Sequence, residues 1–208
     1  MRPVLCLITD RHRHGDEWPD AIVDRVWAAA RAGVDLVQVR ERDLDGGPLA
    51  KLVAACVDAV RGTRTRVLVN DRLDVALATG AHGVHLRASS MAAAQARRIA
   101  PAGFLIGRSV HSVAEASDVS AAGSLDYLMF GTVFATDSKP GREPAGLAML
   151  TAVSAAMPLP VLAVGGITAA RVPEAMAAGA AGIAAISMFA DAQPADIESM
   201  VAILMASV

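Results

Sequence analysis

Gln38, Arg40 and Arg42 follow a run of leucine and valine at a spacing of two. That spacing places them on one face of a strand and its extension. A glutamine with two guanidinium groups on an inward face suits an anionic ligand, although a mutually satisfied Gln and Arg pair would be structural. Asn70, Asp71 and Arg72 close another short apolar run. Asp71 can bind a divalent cation, hold an arginine, or share with Asn70 the capping of the next helix. His85 stands inside the apolar run from Gly83 to Leu86, as a hydrogen-bonded core residue or as a base. Further on, Ser109 and His111 alternate onto one side, and Ser112 can cap the helix that starts there. His111 has the right chemistry for an acid or base near neutrality, or it orients its loop.

The longest loop runs from Gly131 through Thr132, Thr136, Ser138 and Lys139 to Gly141, and Lys139 is one of only two lysines among 19 basic residues. A hydroxyl-rich loop with a lone lysine reads as an anion-gripping lid or as a solvated turn. Gly165 and Gly166 follow a valine-rich run, and Ser187 follows another. Paired glycines let backbone N–H groups approach an anion closely, so a phosphorylated small molecule is the expected ligand.

These residues need a scaffold that gathers the ends of many strands. Short β-branched or leucine-rich runs predict strands at 4–9, 34–40, 66–70, 83–86, 104–108, 127–131, 161–164 and 183–186. Helical spacing predicts helices at about 19–32, 48–60, 72–79, 91–99, 113–122, 146–156, 171–178 and 194–206. Eight alternating units demand a parallel sheet, and closure into a (β/α)8 TIM barrel is its natural form. Spread over eight units, 208 residues leave about 26 each, the compact end of the barrel range, so 1–208 is expected to be a single domain. A doubly wound open sheet is the alternative, but it carries a glycine fingerprint after its first strand, where this chain has Asp10, Arg11 and His12. Gly33, Gly80, Gly103, Gly123, Gly179 and Gly182 precede strands, where helices must stop and the chain must turn. In such a barrel the chemistry sits on the loops after the strands.

A formal charge of −2 provides no bulk field toward nucleic acid or anionic lipid. No apolar stretch reaches about 18 residues, and no secretory signal is visible. The expectation is a cytoplasmic protein with neither nucleic acid nor membrane as partner. Cys6 and Cys56 lie in apolar or alanine-rich surroundings, which predicts buried, reduced thiols. The alanine-rich segment from Ala175 to Ala178 would permit pairing of two copies, so a homodimer is possible.

Taken together, these segments resemble the thiamin phosphate synthase and TenI family, from Leu7 through Asp10 to Ile186 and Ser187. The most specific pieces are Gln38 to Arg42, Asn70 to Arg72 with Gly83 to Leu86, Gly107 to Ser112, Asp126 to Lys139 and Val164 to Ile167. The resemblance implies a thiazole phosphate ligand, its phosphate held at Gly165, Gly166 and Ser187. Synthases of the family join that thiazole phosphate to a pyrimidine pyrophosphate and expel pyrophosphate with Mg²⁺. TenI-type tautomerases move a proton on a carboxythiazole phosphate and need no metal.

The chain departs from both patterns. Arg42 replaces the synthase lysine. Arg87, Ala88, Ser89 and Ser90 stand where the synthase pattern has glycine, glutamine, any residue and a second metal-binding aspartate, which leaves Asp71 as the sole family carboxylate. Thr136, Ser138 and Lys139 match the synthase pyrophosphate loop. Gly107 to Ser112 is closer to TenI, yet Thr132 replaces the tautomerase histidine. The favoured expectation is therefore TenI-like tautomerisation without cofactor, with Arg40 and Gln38 on the carboxylate and His111 or His85 supplying the imidazole that Thr132 cannot. The alternatives are a Mg²⁺-dependent thiamin phosphate synthase, with Asp71 on the metal, and a non-catalytic binder of thiazole or thiamin phosphates.

Overall fold

The computed structural model describes residues 2–136, 141 and 143–207. Its strands are β1 (Val4–Ile8), β2 (Leu36–Val39), β3 (Arg66–Asn70), β4 (Gly83–Leu86), β5 (Leu105–Val110), β6 (Tyr127–Gly131), β7 (Val161–Val164) and β8 (Gly182–Ala185). They pair in parallel in chain order, and β8 returns to β1 to close the barrel. Parallel neighbours need crossovers, which are supplied by α1 (Trp18–Ala32), α2 (Gly46–Ala59), α3 (Leu73–Ala78), α4 (Ala93–Ile99), α5 (Val113–Ser120), α6 (Gly146–Ala156) and α7 (Val172–Ala177). The short α8 (Ser187–Ala190) and α9 (Ile197–Ala206) follow β8. The expected TIM barrel is the fold.

The strands are apolar on both faces because both are buried. Leu5, Leu7, Val37, Val39, Val67 and Val69 pack outward against the helices. Cys6, Ile8, Leu36, Leu68, Met129 and Leu162 fill the interior. Continuing that period of two brings Gln38, Asn70, His85 and Ser109 inward near the carboxyl ends, where polar groups replace apolar ones. So small a barrel has little room inside. A Cβ on Gly107 would lie 1.9 Å from the Tyr127 ring, so glycine there is what admits the aromatic side chain to the interior.

Several boundaries differ from expectation. β2 stops before Arg40 because the Arg40 N–H donates to Thr9 Oγ1 at 3.0 Å instead of to a neighbouring strand. β5 runs on to Val110 because Ser109 and Val110 pair with Met129 and Phe130. α8 was not foreseen, being only four residues long, too short for a periodic signal. Ala175 and Ala178 are buried within the barrel's own core, so of the alanines in that segment only Ala177 faces outward. Cys6 and Cys56 are buried free thiols, and desolvation pushes both up to about 12. Among the described residues no helix is long and apolar enough to cross a membrane.

Candidate active site

A cavity of about 290 Å³ opens at the carboxyl ends of the strands. Gln38, Arg40 and Arg42 reach it from β2 and the loop beyond, and Asn70 from β3. His85, Ser109, His111 and Thr132 line its middle, and Thr136 and Gly165 its far side. Arg87, directly after β4, lines it too, whereas among the described residues no Asp or Glu does. Residues spread over more than 120 positions of sequence thus meet because each ends a strand of one closed sheet.

On the β2 side, Gln38 Nε2 donates to Asn70 Oδ1 at 3.0 Å. Gln38 Oε1 is buried with no partner among the described residues, so the amide presents an unused acceptor. The Arg40 guanidinium holds its proton less tightly than usual, chiefly because it is buried and next because Arg42 is near. Glu41, although buried, is spent on the scaffold. It accepts from the Thr9 hydroxyl and from the Arg11 N–H at 3.0 Å.

Asp71 sits with φ of 65°, a left-handed conformation that Asp tolerates better than most residues. Its side chain caps no helix. Arg87 Nε donates to Oδ2 at 2.9 Å, with a further contact from the same guanidinium, and the Ser90 hydroxyl donates to Oδ1. The loop carrying Ser90 is pinned from below by the buried Arg108, which donates to the carbonyls of Ala88 at 2.8 Å and Met91 at 2.9 Å.

Magnesium binds through one or two carboxylates together with phosphate and water oxygens. Here the single candidate carboxylate already carries a guanidinium. No group of three or more His, Cys, Asp or Glu among the described residues is placed to hold a metal ion. This donor set does not fit Mg²⁺.

In the middle of the cavity, His85 Nδ1 meets the Tyr127 hydroxyl at 2.9 Å and Nε2 meets Ser109 Oγ at 2.8 Å. Desolvation, with Arg40 and Arg108 nearby, lowers the imidazole to about 3, so it is neutral at physiological pH. His111 directs Nδ1 at the Gly131 carbonyl. Its backbone N–H donates to Glu115 at 2.8 Å, while Ser112 Oγ accepts from the Glu115 N–H at 3.1 Å. This reciprocal cap on α5 fixes the strand end that bears His111.

At the far side, Gly165 and Gly166 have φ of 98° and 64°. A Cβ on Gly166 would lie 2.4 Å from the Ala135 carbonyl oxygen, and one on Gly165 2.5 Å from Thr132 Cγ2. Only glycine allows the two loops to lie together there. Arg171 braces them, donating to the Gly166 carbonyl at 2.8 Å and stacking 4.8 Å from the Phe134 ring centre. Gly165, Gly166, Ser187 and Thr136 line a small adjoining recess with Arg13, which the sequence had not singled out. Arg13 also pairs with Asp191 at 2.7 Å. Ser138 and Lys139 lie outside the described residues.

Arg13 and Arg87 were given no site role from the sequence for the same reason. Neither belongs to a patterned run, although each follows the end of a strand, the position where a barrel keeps its chemistry.

Comparison with known proteins gives one consistent result. The family described as "Thiamine monophosphate synthase" matches residues 5–189. The chain is 48% identical over 160 residues to a thiamine-phosphate synthase of Methanoculleus marisnigri, covering 76% of this chain and 75% of that one. It is 44% identical over 192 residues to a putative thiamine-phosphate synthase of Geobacter sulfurreducens, covering 91% and 88%. A solved thiamine phosphate pyrophosphorylase from Pyrococcus furiosus matches with a TM-score of 0.84 at 30% identity, covering 99% of this chain and 96% of that one. None of these names is that of a tautomerase, so the favoured expectation gains no support and the synthase alternative fits better.

Proposed function

Because this chain belongs to the thiamine monophosphate synthase family, we propose that it joins a thiazole phosphate to a pyrimidine pyrophosphate to form thiamin phosphate. The lone pair of the thiazole nitrogen forms a C–N bond to the pyrimidine's methylene carbon. The C–O bond to pyrophosphate breaks, and the leaving oxygen keeps the electron pair. No proton need move, so the neutral His85 and the replacement of a histidine by Thr132 are no obstacle.

The observation that carries this proposal is a cavity with Arg40, Arg42 and Arg87 and, among the described residues, no acidic one, suited to a leaving group that gains negative charge as it departs. The unused Gln38 acceptor adds support, because it suits a ligand that brings a hydrogen-bond donor, which a carboxylate lacks. The small recess at Gly165, Gly166 and Ser187 suits the thiazole phosphate. His85 acts as a positioning residue that sets the Ser109 hydroxyl, and His111 holds the Gly131 carbonyl. Holding both substrates in one orientation converts a bimolecular encounter into an intramolecular step.

The test supplies purified protein with both substrates, and separately with carboxythiazole phosphate alone, each with and without Mg²⁺. Thiamin phosphate and pyrophosphate in equal amounts are expected from the first mixture. Aromatised carboxythiazole phosphate from the second, with nothing from the first, would restore the tautomerase. Binding of either ligand without any turnover would leave a non-catalytic binder.

A further inference from the structure

Three guanidinium groups share one small cavity, and among the described residues no carboxylate lines it to balance them. Like charges so placed repel, and the weakened proton affinity of Arg40 next to Arg42 reflects that repulsion on top of burial. A ligand with several negative charges relieves it, while a free divalent cation would aggravate it. Asp71, which lines a neighbouring recess with Arg42 and Arg87, accepts from Arg87 Nε at 2.9 Å and from the Ser90 hydroxyl. Ser90 is itself held in place, because its loop hangs from Arg108 through the Ala88 and Met91 carbonyls. Arg87 is therefore oriented by its partner while still lining the cavity. A guanidinium has five N–H donors in a fixed fork, so one anchored on a carboxylate keeps others for phosphate oxygens.

We infer that Arg87, braced on Asp71, neutralises the pyrophosphate group in the place of a divalent cation, so that the site binds pyrophosphate and turns over without metal. The inference deepens the synthase proposal and rests on it for the identity of the ligand. The charge gained by the departing oxygen is met by Arg87 with Arg40 and Arg42, which are aligned beforehand and need no reorganisation. A guanidinium cannot exchange with solvent as a metal ion can, so the neutralising charge is always present.

Titration calorimetry with inorganic pyrophosphate, in EDTA and then in excess Mg²⁺, tests the inference alongside turnover under both conditions. Wild type is expected to bind pyrophosphate in EDTA and to keep its turnover there within about twofold. Arg87→Ala is expected to weaken metal-free binding at least tenfold, and Arg87→Lys to recover part of it, since lysine restores the charge but not the fork. Circular dichroism checks that these exposed-site variants fold. Pyrophosphate binding or product formation seen only with Mg²⁺ would overturn the inference and leave the synthase standing, as would metal-free binding indifferent to Arg87→Ala. Metal-free pyrophosphate binding that depends on Arg87, with no thiamin phosphate under either condition, would leave Arg87 as the pyrophosphate ligand but overturn metal-free turnover and sink the proposed reaction.

Discussion

Gln38 shows how far a residue pattern reaches. Its spacing from Arg40 and Arg42 is plain in the sequence and places it inward, but its partner is not. Only the structure puts Asn70 Oδ1 at 3.0 Å from Nε2 and, among the described residues, leaves Oε1 unpaired. Gln38→Leu, which removes that acceptor, is expected to raise KM for the pyrimidine pyrophosphate about tenfold, roughly the value of a lost hydrogen bond with its partner left unsatisfied. A KM unchanged in steady-state kinetics would refute the assignment. His85 was legible as a buried histidine, while its neutrality is a tertiary property. Its folded-state value lies near 3 against an ordinary 6.5, so the unfolded chain binds a proton more readily between those limits. The stability that a neutral His85 contributes is thus complete above pH 6.5 and is lost as pH falls toward 3, by at most about 1.4 kcal/mol per unit. Denaturation followed from pH 7 to 4 should show a shallower acid loss in His85→Gln than in wild type.

At the scale of elements, the strands were readable because runs of Val, Leu and Ile between turn signals are what a doubly buried strand requires. The ends of elements were less so. Arg40 leaves the sheet for the Thr9 hydroxyl, and a strand cannot reveal a hydrogen bond to a residue more than thirty positions away. Close approaches between elements were equally hidden. Gly107→Ala would push a methyl group into the Tyr127 ring, and a loss of about 1–3 kcal/mol is expected from such overpacking, measurable as a fall in Tm. Gly166→Ala combines a left-handed backbone with a clash on the Ala135 carbonyl. It is expected to raise KM for the thiazole phosphate more than tenfold, and an unaltered KM would separate this loop from the phosphate.

For the whole molecule, a net charge of −2 conceals a mouth that, among the described residues, has three arginines and no acid. Anionic substrates should be drawn there by a local field, and salt screens such fields within about 10 Å at 0.1 M and about 3 Å at 1 M. Raising KCl from about 0.05 to 0.5 M is expected to lower kcat/KM for the pyrimidine pyrophosphate severalfold. A salt-independent kcat/KM would show that the local field does not steer the substrate. By itself the sequence determined the alternation of strands and helices, the closed barrel and the paired glycines after β7, because these follow from periodicity and from the backbone freedom of single residues. The tertiary structure alone decided that Asp71 belongs to Arg87 and Ser90, that His85 is neutral and that Arg13 joins the recess. Charge pairing and desolvation depend on distances between strand ends, and those distances exist only once the sheet has closed.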